Sequence, residues 1–594
     1  MMNSKEALKN MIDAVKASTA ISLLDSFIPK KMKAHGIRGL SVAVADENGA
    51  LWTAGYGHAD GSGKRPFDAT TISSVGSVSK LITATAVMHL VQQRKVDLDA
   101  PILRYLPDFH PRDGGHDVSA VTVRLLLSHH SGLQSDDFKA WSHGTEMPPG
   151  YPRPYANSVS LASKTTLCAK PGSVMAYSNL GYSLLGLMVE KVSGKDFASY
   201  VREAILDPLG MDSSSFVIEG RFSSRYARGK RGLRKNVGFP LIRDMPAGAF
   251  LTSAEDMGKL LSAVISSANG TKCGPLAPST QREMWSRQNN GVVLDLDFTI
   301  GLGWWLTPLQ SMPGESIVQH GGDLDPFCAF AGVIPTRSLG VFVMANSAKG
   351  FGSLTLGNSV AADVLRVFAT AKGGPAIAAE PPAPTTAPMP PDLAARLVGN
   401  YATPMGLLCI KKRGRTFAVK SVGKWMEGHY RTNGSFGLRA KVLGIELPIA
   451  ALKELSLTPE SVDGQTAIAF RACGTSLGVG LRVKPGTLSS AWLSRSGAWE
   501  PIDRERAPEI RRARLDLDRD TGLFLLSLRF QMGDLAHPLR VISDREAIFE
   551  GAGRNLGTAV NVVEENGAEV MTVFGVRFRK GKSSSIRKPL ENTA

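Results

Sequence analysis

The amino-acid sequence predicts an α+β fold followed by one or two antiparallel β-barrels, on two observations. Up to about residue 370, strand-like segments stand among long apolar helices, of which residues 81–91 form the clearest. Beyond residue 391, short strand-like segments alternate with Gly, Asn and Asp turns, a pattern typical of small barrels. Residues 371–391 hold seven prolines and are predicted to be an extended linker.

A chain of 594 residues is too long for a single hydrophobic core. We therefore expect a first domain over residues 1–370, the linker over 371–391, and a lipocalin-like β-barrel domain or domains over 392–594. The sequence contains no run of 18 apolar residues, so neither a transmembrane helix nor a membrane partner is expected. The first 33 residues are charged throughout and lack the apolar centre of a signal peptide, which favours a cytoplasmic location.

Charge and cysteine usage argue against several classes of partner. The net charge is +16, but no basic helix and no basic–aromatic interleaving occur, so we expect a diffuse positive surface and no nucleic-acid binding. Five scattered cysteines without CxxC spacing argue against a disulfide framework and a zinc site. His129 and His130 are adjacent and so point to different helix faces, and we expect no metal and no cofactor.

Individual elements of the first domain follow from local patterns. Residues 40–45 and 50–56 flank an Asn-Gly turn and predict a β-hairpin. A strand over 301–306, an antiparallel meander over 318–347 and a closing helix over 360–369 complete the prediction. Apolar residues near the N-terminus predict the inner face of one or two amphipathic helices: Leu8, Met11, Ile12, Val15, Leu23, Leu24, Phe27 and Ile28.

Ser77 and Lys80 precede the apolar helix of residues 81–91 and supply the first chemical signal. Residues at i and i+3 share a helix face, so the two side chains point the same way from its first turn. A serine hydroxyl becomes a nucleophile when a base lies beside it, and a buried lysine can be that base. The same spacing recurs from Ser421 and from Ser585, but neither copy opens a helix, so both are interpreted as chance.

Tyr177 and Asn179 stand two residues apart at the entrance of an apolar helix that ends at Gly194. If both side chains face one cleft, a phenolate could take or relay the serine proton and the carboxamide could bond a peptide-like carbonyl. The alternative is a capping turn with a packed tyrosine.

Three motifs in this order resemble those of the serine beta-lactamase-related superfamily, which includes penicillin-binding DD-peptidases, class C beta-lactamases, D-aminopeptidases and esterases: Ser77-Val78-Ser79-Lys80, Tyr177-Ser178-Asn179 and His320-Gly321-Gly322. The resemblance covers roughly residues 10–370. It implies a beta-lactamase/transpeptidase-like catalytic domain, in which an antiparallel sheet with helices is joined to a helical subdomain.

The resemblance also implies a role for each matching residue. Ser77 would be acylated, with Lys80 and Tyr177 handling its proton, and either of them could be the general base. Asn179 would orient the substrate and the lysine, and His320 lies on the strand where the family carries Lys, His or Trp. The other implied substrate-binding residues are Gly321, Gly322 and Asp323. The backbone N–H groups of Ser77 and Asp323 would form the oxyanion hole.

One departure bears on the substrate. Beta-lactam-binding members usually carry Thr or Ser where this chain has Gly321, so beta-lactam turnover is expected to be poor. The prediction is a serine hydrolase that cleaves amide bonds of short or unusual peptides, either D-residue-containing or linearised from cyclic ones, with a carboxylesterase as the alternative. A beta-lactamase is a weaker alternative, and so is a non-catalytic penicillin-binding or sensor protein, because a pure binder needs no Ser77, Lys80 or Tyr177. The substrate and the formation of a homo-oligomer stay open.

The C-terminal region is basic, with 31 Lys and Arg against 21 Asp and Glu over residues 392–594. It carries no catalytic constellation of its own. It either covers apolar surface or mediates oligomerisation, or it extends a loop over the Ser77 cleft that limits substrate length. The most concentrated basic candidate for such a loop is residues 411–415.

Overall fold

The computed structural model describes residues 4–60, 62–135, 147–231, 235–271, 274–347, 351–378, 380, 382–413, 416–421, 423–442, 445–446, 450–502, 510–530 and 533–581. The helices as far as the start of the first barrel are α1 Ser4–His35, α2 Ser79–Gln92, α3 Val123–Leu127, α4 Ser158–Ala162, α5 Asn179–Ser193, α6 Phe197–Val201, α7 Met245–Gly248, α8 Ala254–Asn269, α9 Pro278–Met284, α10 Ser353–Leu356, α11 Ala362–Ala371 and α12 Pro391–Leu397. The strands of the same part are β1 Gly39–Asp46, β2 Gly49–Gly57, β3 Ser73–Ser74, β4 Gly229–Arg231, β5 Lys235–Val237, β6 Leu251–Thr252, β7 Val318–Leu324, β8 Phe327–Ile334 and β9 Leu339–Ala345.

An antiparallel sheet with the strand order β2-β1-β9-β8-β7 organises this part of the chain, which confirms the predicted hairpin and meander. Every residue of β1 is buried because helices cover both faces of the sheet. Its alternate residues belong to different cores: Val42 packs in the cluster that contains α11, and Ala43 packs in the cluster that contains α8. The sheet therefore forms the rigid wall along which the site lies.

Two local predictions are wrong. Residues 301–306 form isolated bridges and no strand, because Gly303 has a φ of +79° and the segment turns tightly over α2, where the chain approaches Ala84. In α1, Leu24 and Ile28 are buried as predicted, but Leu23 is 56% exposed. The side chains of the predicted positions from 8 to 15 lie outside the described residues.

The helices α2 and α5 pack against each other and share one hydrophobic core. Eleven of the fourteen residues of α2 are buried, as expected for a helix that is apolar all round. Ser178 caps the start of α5, since its Oγ accepts from the N–H of Gly181, and Gly194 ends the helix with a φ of +74°. These caps fix both ends of α5.

The C-terminal part forms two closed eight-stranded antiparallel barrels, at the upper end of the predicted one or two. The first barrel consists of β10 Gly399–Thr403, β11 Gly406–Arg413, β12 Thr416–Ser421, β13 Lys424–Tyr430, β14 Phe436–Arg439, β17 Leu455–Val462, β18 Gln465–Ala472 and β19 Thr475–Val483, with β15 Lys441–Val442, β16 Ile445–Glu446 and helix α13 Ala450–Glu454 inserted. The second follows helix α14 Ser490–Ser494 and consists of β20 Gly497–Pro501, β21 Arg512–Leu517, β22 Phe524–Phe530, β23 Gly533–Ser543, β24 Glu546–Phe549, β25 Ala559–Glu565, β26 Ala568–Val573 and β27 Val576–Lys580.

Both barrels contact the first part of the chain. In the first barrel, Arg471 pairs with Asp297 at 2.6 Å and Gly474 packs on Gln310. The loop between β24 and β25 of the second barrel packs on the segment that leads to Tyr177. Within the described ranges, no helix has the length and apolar character needed to cross a membrane.

Candidate active site

Ser77 lies in a single 3₁₀ turn, Gly76–Val78, from which α2 continues. The turn is fixed by Ser79, whose Oγ donates to the carbonyl oxygen of Gly76 (2.6 Å) and accepts from the N–H of Phe250 (2.9 Å). Ser77 is half-buried while its neighbours on both sides are buried. The local structure thus holds one hydroxyl at a surface on an otherwise buried helix start.

Lys80 is completely buried, and polar groups surround its Nζ. It lies 3.2 Å from Ser77 Oγ, 2.7 Å from Asn179 Oδ1 and 2.7 Å from the carbonyl oxygen of Ala247. The last two atoms can only accept, so they bind two of the amine's hydrogens in either protonation state. The third position of Nζ faces the serine hydroxyl, with a hydrogen when the amine is charged and with a lone pair when it is neutral.

Asn179 begins α5, and hydrogen bonds to Gln134 and Ser135 hold the backbone there. The N–H groups of Asn179 and Leu180 donate to the carbonyl oxygen of Ser135 at 2.9 and 3.2 Å. Ser178 Oγ donates to the carbonyl oxygen of Gln134 at 2.7 Å. These bonds fix the start of the helix, and thereby the carboxamide that faces Lys80.

The ring of Tyr177 is nine-tenths buried and has cations and aromatic rings around it. Lys80 Nζ lies 4.7 Å from the ring centroid, and the guanidinium carbon of Arg554 lies 5.0 Å from it. The ring of His129 stacks on it at 4.2 Å, with an interplanar angle of 30°. The tyrosine therefore lies next to the Ser77–Lys80 pair.

Two buried histidines flank the phenol in their neutral form. Burial, followed by the charge of Lys80, lowers the pKa of His129 well below its usual value. The same two causes lower the pKa of His320 to about 3. His129 Nδ1 accepts from the N–H of Ser178 at 3.1 Å, which further fixes the Tyr177 motif. No group of side chains able to hold a metal ion is found in the described part of the chain.

His320 lies on β7, next to Trp305, whose ring centroid is 5.1 Å away. Its Nδ1 is 2.6 Å from the carbonyl oxygen of Gly321, so this nitrogen carries the hydrogen and Nε2 is an acceptor. Nε2 is buried and accepts no hydrogen bond from the residues that the structure describes.

Close backbone packing explains two of the glycines beside the nucleophile. A Cβ on Gly322 would collide with the carbonyl oxygen of Val75 and lie 2.9 Å from the nitrogen of Ser77. Gly76 has a φ of +50°, and a Cβ there would lie 2.8 Å from the nitrogen of Asp323. The strand β7 therefore passes directly over the Ser77 turn. This contact brings together the two backbone N–H groups predicted to form the oxyanion hole.

Gly321 is close to a different neighbour. A Cβ at this position would lie 2.5 Å from Ser353 Oγ, so the hydroxyl of Ser353 occupies the space that a Thr or Ser side chain would need. Ser353 donates from its N–H (2.8 Å) and from its Oγ to the carboxylate of Asp323. Asp323 keeps exposed surface, yet the protein packed around its carboxyl group displaces water from it and raises its pKa to about 6.

The structure brings the predicted site residues together: Ser77, Lys80, Tyr177, Asn179, His320, Gly321, Gly322 and Asp323. The second copy of the serine–lysine spacing ends a barrel strand at Ser421, and the copy at Ser585 lies outside the described residues. Sequence reasoning missed the stacking of His129, the carbonyl of Ala247 and the arrival of Arg554. The apolar residues 125–127 just before His129 indicated only that this part of the chain is buried.

In the basic run that the sequence favoured as a loop over the cleft, Lys411 contacts residues of the two barrels. Lys411 is at the end of β11, 4.0 Å from Asp520 of the second barrel and 5.4 Å from the Trp425 ring centroid. Positions 414 and 415 lie outside the described residues. Arg554 of the second barrel is a basic residue that contacts the site.

The sequence profile of the family described as Beta-lactamase matches residues 24–366, more than half of the chain. The chain is 26% identical over 336 residues to Protein flp of Staphylococcus aureus (strain MRSA252), which covers 54% of this chain and 62% of that protein. It thus spans less than two thirds of the length of this relative. A beta-lactamase of Pseudomonas fluorescens is 26% identical over 354 residues, covering 54% of this chain and 92% of its own length.

Two solved structures share the fold. SurE superposes with a TM-score of 0.57 at 21% identity, covering 80% of this chain and all of SurE. The octameric penicillin-binding protein homologue from Pyrococcus abyssi superposes with a TM-score of 0.51 at 21% identity, covering 77% of this chain and 99% of its own.

Proposed function

The chain belongs to the beta-lactamase family, a family of serine hydrolases, and from that premise we propose that it cleaves amide bonds of short or unusual peptides through an acyl-enzyme on Ser77. The observation that carries the proposal is the position of Lys80 Nζ, 3.2 Å from Ser77 Oγ and 2.7 Å from each of two obligate acceptors. In the neutral amine, two hydrogens bind those acceptors and the lone pair faces the serine hydroxyl. This is the arrangement that a general base for Ser77 requires.

The acylation step follows from these contacts. Lys80 accepts the proton of Ser77 Oγ as that oxygen attacks the carbonyl carbon of the substrate. The backbone N–H groups of Ser77 and Asp323 bind the oxyanion that develops, and such donors typically contribute roughly 10²–10³-fold each to the rate. Tyr177, beside the resulting ammonium, passes a proton to the leaving amine, and water then hydrolyses the ester on Ser77.

The surroundings of β7 support peptides over beta-lactams as substrates. The family's hydroxyl for a ligand carboxylate is absent at Gly321, and Ser353 fills its space. The group next to it is the carboxylate of Asp323, which repels an anionic ligand. His320, predicted to bind substrate, lies on the same strand.

The relatives add support for unusual stereochemistry and for self-association. SurE has a solved structure with D-Leu, with a TM-score of 0.54 to this chain. The Pyrococcus abyssi homologue is octameric. We therefore include D-residue peptides and a homo-oligomer in the proposal, the latter to be measured by light scattering of the purified chain.

The test is a hydrolysis screen of D- and L-aminoacyl amides, short linear peptides and p-nitrophenyl esters with the full chain. Amide turnover that disappears in Ser77→Ala and persists in Ser421→Ala is the expected result, because Ser421 has the same spacing to a lysine but lies on a barrel strand. Intact-mass detection of a Ser77 adduct with a slow ester substrate checks the acyl-enzyme. Turnover of esters alone would leave the carboxylesterase, and full activity of Ser77→Ala would end the proposal.

A further inference from the structure

The second barrel is seated on the chain segment that leads to Tyr177. Gly557, with a φ of +80°, lies so close to the carbonyl of Cys168 that a Cβ would collide with it. Thr558 Oγ1 is 3.6 Å from Cys168 Sγ, and Arg112 Nη1 donates to Asn561 Oδ1 at 3.1 Å. Backbone-on-backbone packing of this kind fixes the position of the loop between β24 and β25.

From this loop, Arg554 reaches two parts of the candidate site. Its Nε donates to Ser135 Oγ at 3.1 Å, and its guanidinium carbon lies 5.0 Å from the Tyr177 ring centroid. Ser135 is buried, and its carbonyl oxygen accepts the N–H groups at the start of α5, where Asn179 faces Lys80. The charge of Arg554 is also felt at His129, whose pKa it helps to lower.

We propose that Arg554, supplied by the second barrel, is a positioning residue of the Ser77 site. The inference rests on the proposed serine hydrolase. The guanidinium packs against the Tyr177 ring, and it fixes Ser135, whose carbonyl oxygen holds the start of α5. A cation over the phenol also stabilises negative charge on its oxygen during proton transfer. The second barrel thereby becomes part of the catalytic unit.

Two other roles of Arg554 predict different kinetics. If the residue only fastened the barrel, its loss would resemble the loss of Arg112, which joins the same barrel to the same part of the chain without touching Tyr177. If it bound a carboxylate of the substrate, KM would rise for substrates that carry one, and kcat would stay. A positioning role lowers kcat for every substrate and leaves KM nearly unchanged.

The experiment compares full-length wild type, Arg554→Ala, Arg554→Lys and Arg112→Ala, with one substrate pair that differs only by a carboxylate. Because Arg554 is exposed, we expect kcat of Arg554→Ala to fall by roughly two- to fivefold, the range for an exposed cation beside an aromatic ring. Arg554→Lys keeps the charge but lacks the fork that reaches both partners, so its kcat should be intermediate. Added methylguanidinium should raise kcat of Arg554→Ala and leave Arg112→Ala unchanged.

Several results would overturn the inference. They are an unchanged kcat in Arg554→Ala, an equal loss in Arg112→Ala, no effect of methylguanidinium, or a rise in KM confined to the carboxylate substrate. If Arg554→Ala does not fold, Arg554→Lys against Arg112→Ala decides. Full activity of Ser77→Ala refutes the hydrolase itself, whereas inactive Ser77→Ala with fully active Arg554 variants refutes only the role of Arg554.

Discussion

The substitution Gly321→Thr tests whether Ser353 leaves room for the hydroxyl-bearing side chain that is typical of beta-lactam binders at this position. Its Cβ would lie 2.5 Å from Ser353 Oγ and 2.9 Å from Ser353 Cβ, where ordinary contact begins at 3.4 Å. Ser353 is buried at the start of α10 and cannot move outward freely. We expect Gly321→Thr to lower the free energy of unfolding by about 1–3 kcal/mol, the usual cost of overpacking.

Removal of the neighbour should reverse the effect. Ser353→Gly deletes both colliding atoms and keeps the N–H that donates to Asp323 at 2.8 Å. Alone it loses the hydroxyl bond to that carboxylate, a cost of about 1–3 kcal/mol. In the double variant the collision is absent, so the free energies of the two changes should couple by about 1–3 kcal/mol.

The assay is urea unfolding of all four proteins, followed by hydrogen exchange of α2 peptides so that the catalytic part is measured separately from the barrels. Gly220→Thr is the matched control, because a Cβ at Gly220 meets nothing within 4 Å, and we expect its effect to be within about 0.5 kcal/mol. Additive effects in the Gly321–Ser353 cycle, or an undiminished stability of Gly321→Thr, would refute the steric explanation.

Three further predictions concern the same site. Lys80→Met should abolish amide turnover and also destabilise the chain by about 1–3 kcal/mol, because Asn179 Oδ1 and the carbonyl oxygen of Ala247 each lose a buried donor. The peptide assay and calorimetry measure the two effects, and an unchanged stability would contradict the geometry. The folded-state pKa of His320 is about 3 against 6.5 unfolded, so the unfolded state alone gains this proton as pH falls below 6.5 and stability declines towards pH 3. His320→Gln should therefore lose about 2 kcal/mol less stability than wild type between pH 7 and about pH 5, and parallel pH profiles would show that His320 titrates normally. Gly322→Ala should abolish activity although Ser77 itself is kept, because the new Cβ displaces the turn that carries Ser77. Normal kinetics of this variant would show that the turn tolerates a shift.

Much of the site was predictable because its signals are local. The spacing of Ser77 and Lys80 places them on one face of a helix, and the motif order supplied the partners on α5 and β7. The hairpin of β1 and β2 followed from an Asn-Gly turn between apolar runs. In each case the information lies within a few residues.

The errors have the opposite cause. Residues 301–306 are apolar enough for a strand, but the approach of Gly303 to α2 fixes a turn there, and that contact is invisible along the sequence. The run from Lys411 is the densest basic cluster, but Lys411 itself contacts Asp520 and positions 414 and 415 lie outside the described residues, so a loop over the cleft stays a prediction. Arg554 follows two glycines in a loop with no motif, and only the docking of the barrel brings it to Tyr177.

The contact between Arg554 and Ser135 joins residues 419 positions apart along the chain. A ribosome that adds about 5–20 residues per second needs roughly 20–80 s between making the one and making the other. During that interval the nascent chain already carries Ser77 and Lys80 but not the barrel that seats against Tyr177. The order of synthesis therefore delays completion of the site until nearly the whole chain has been made.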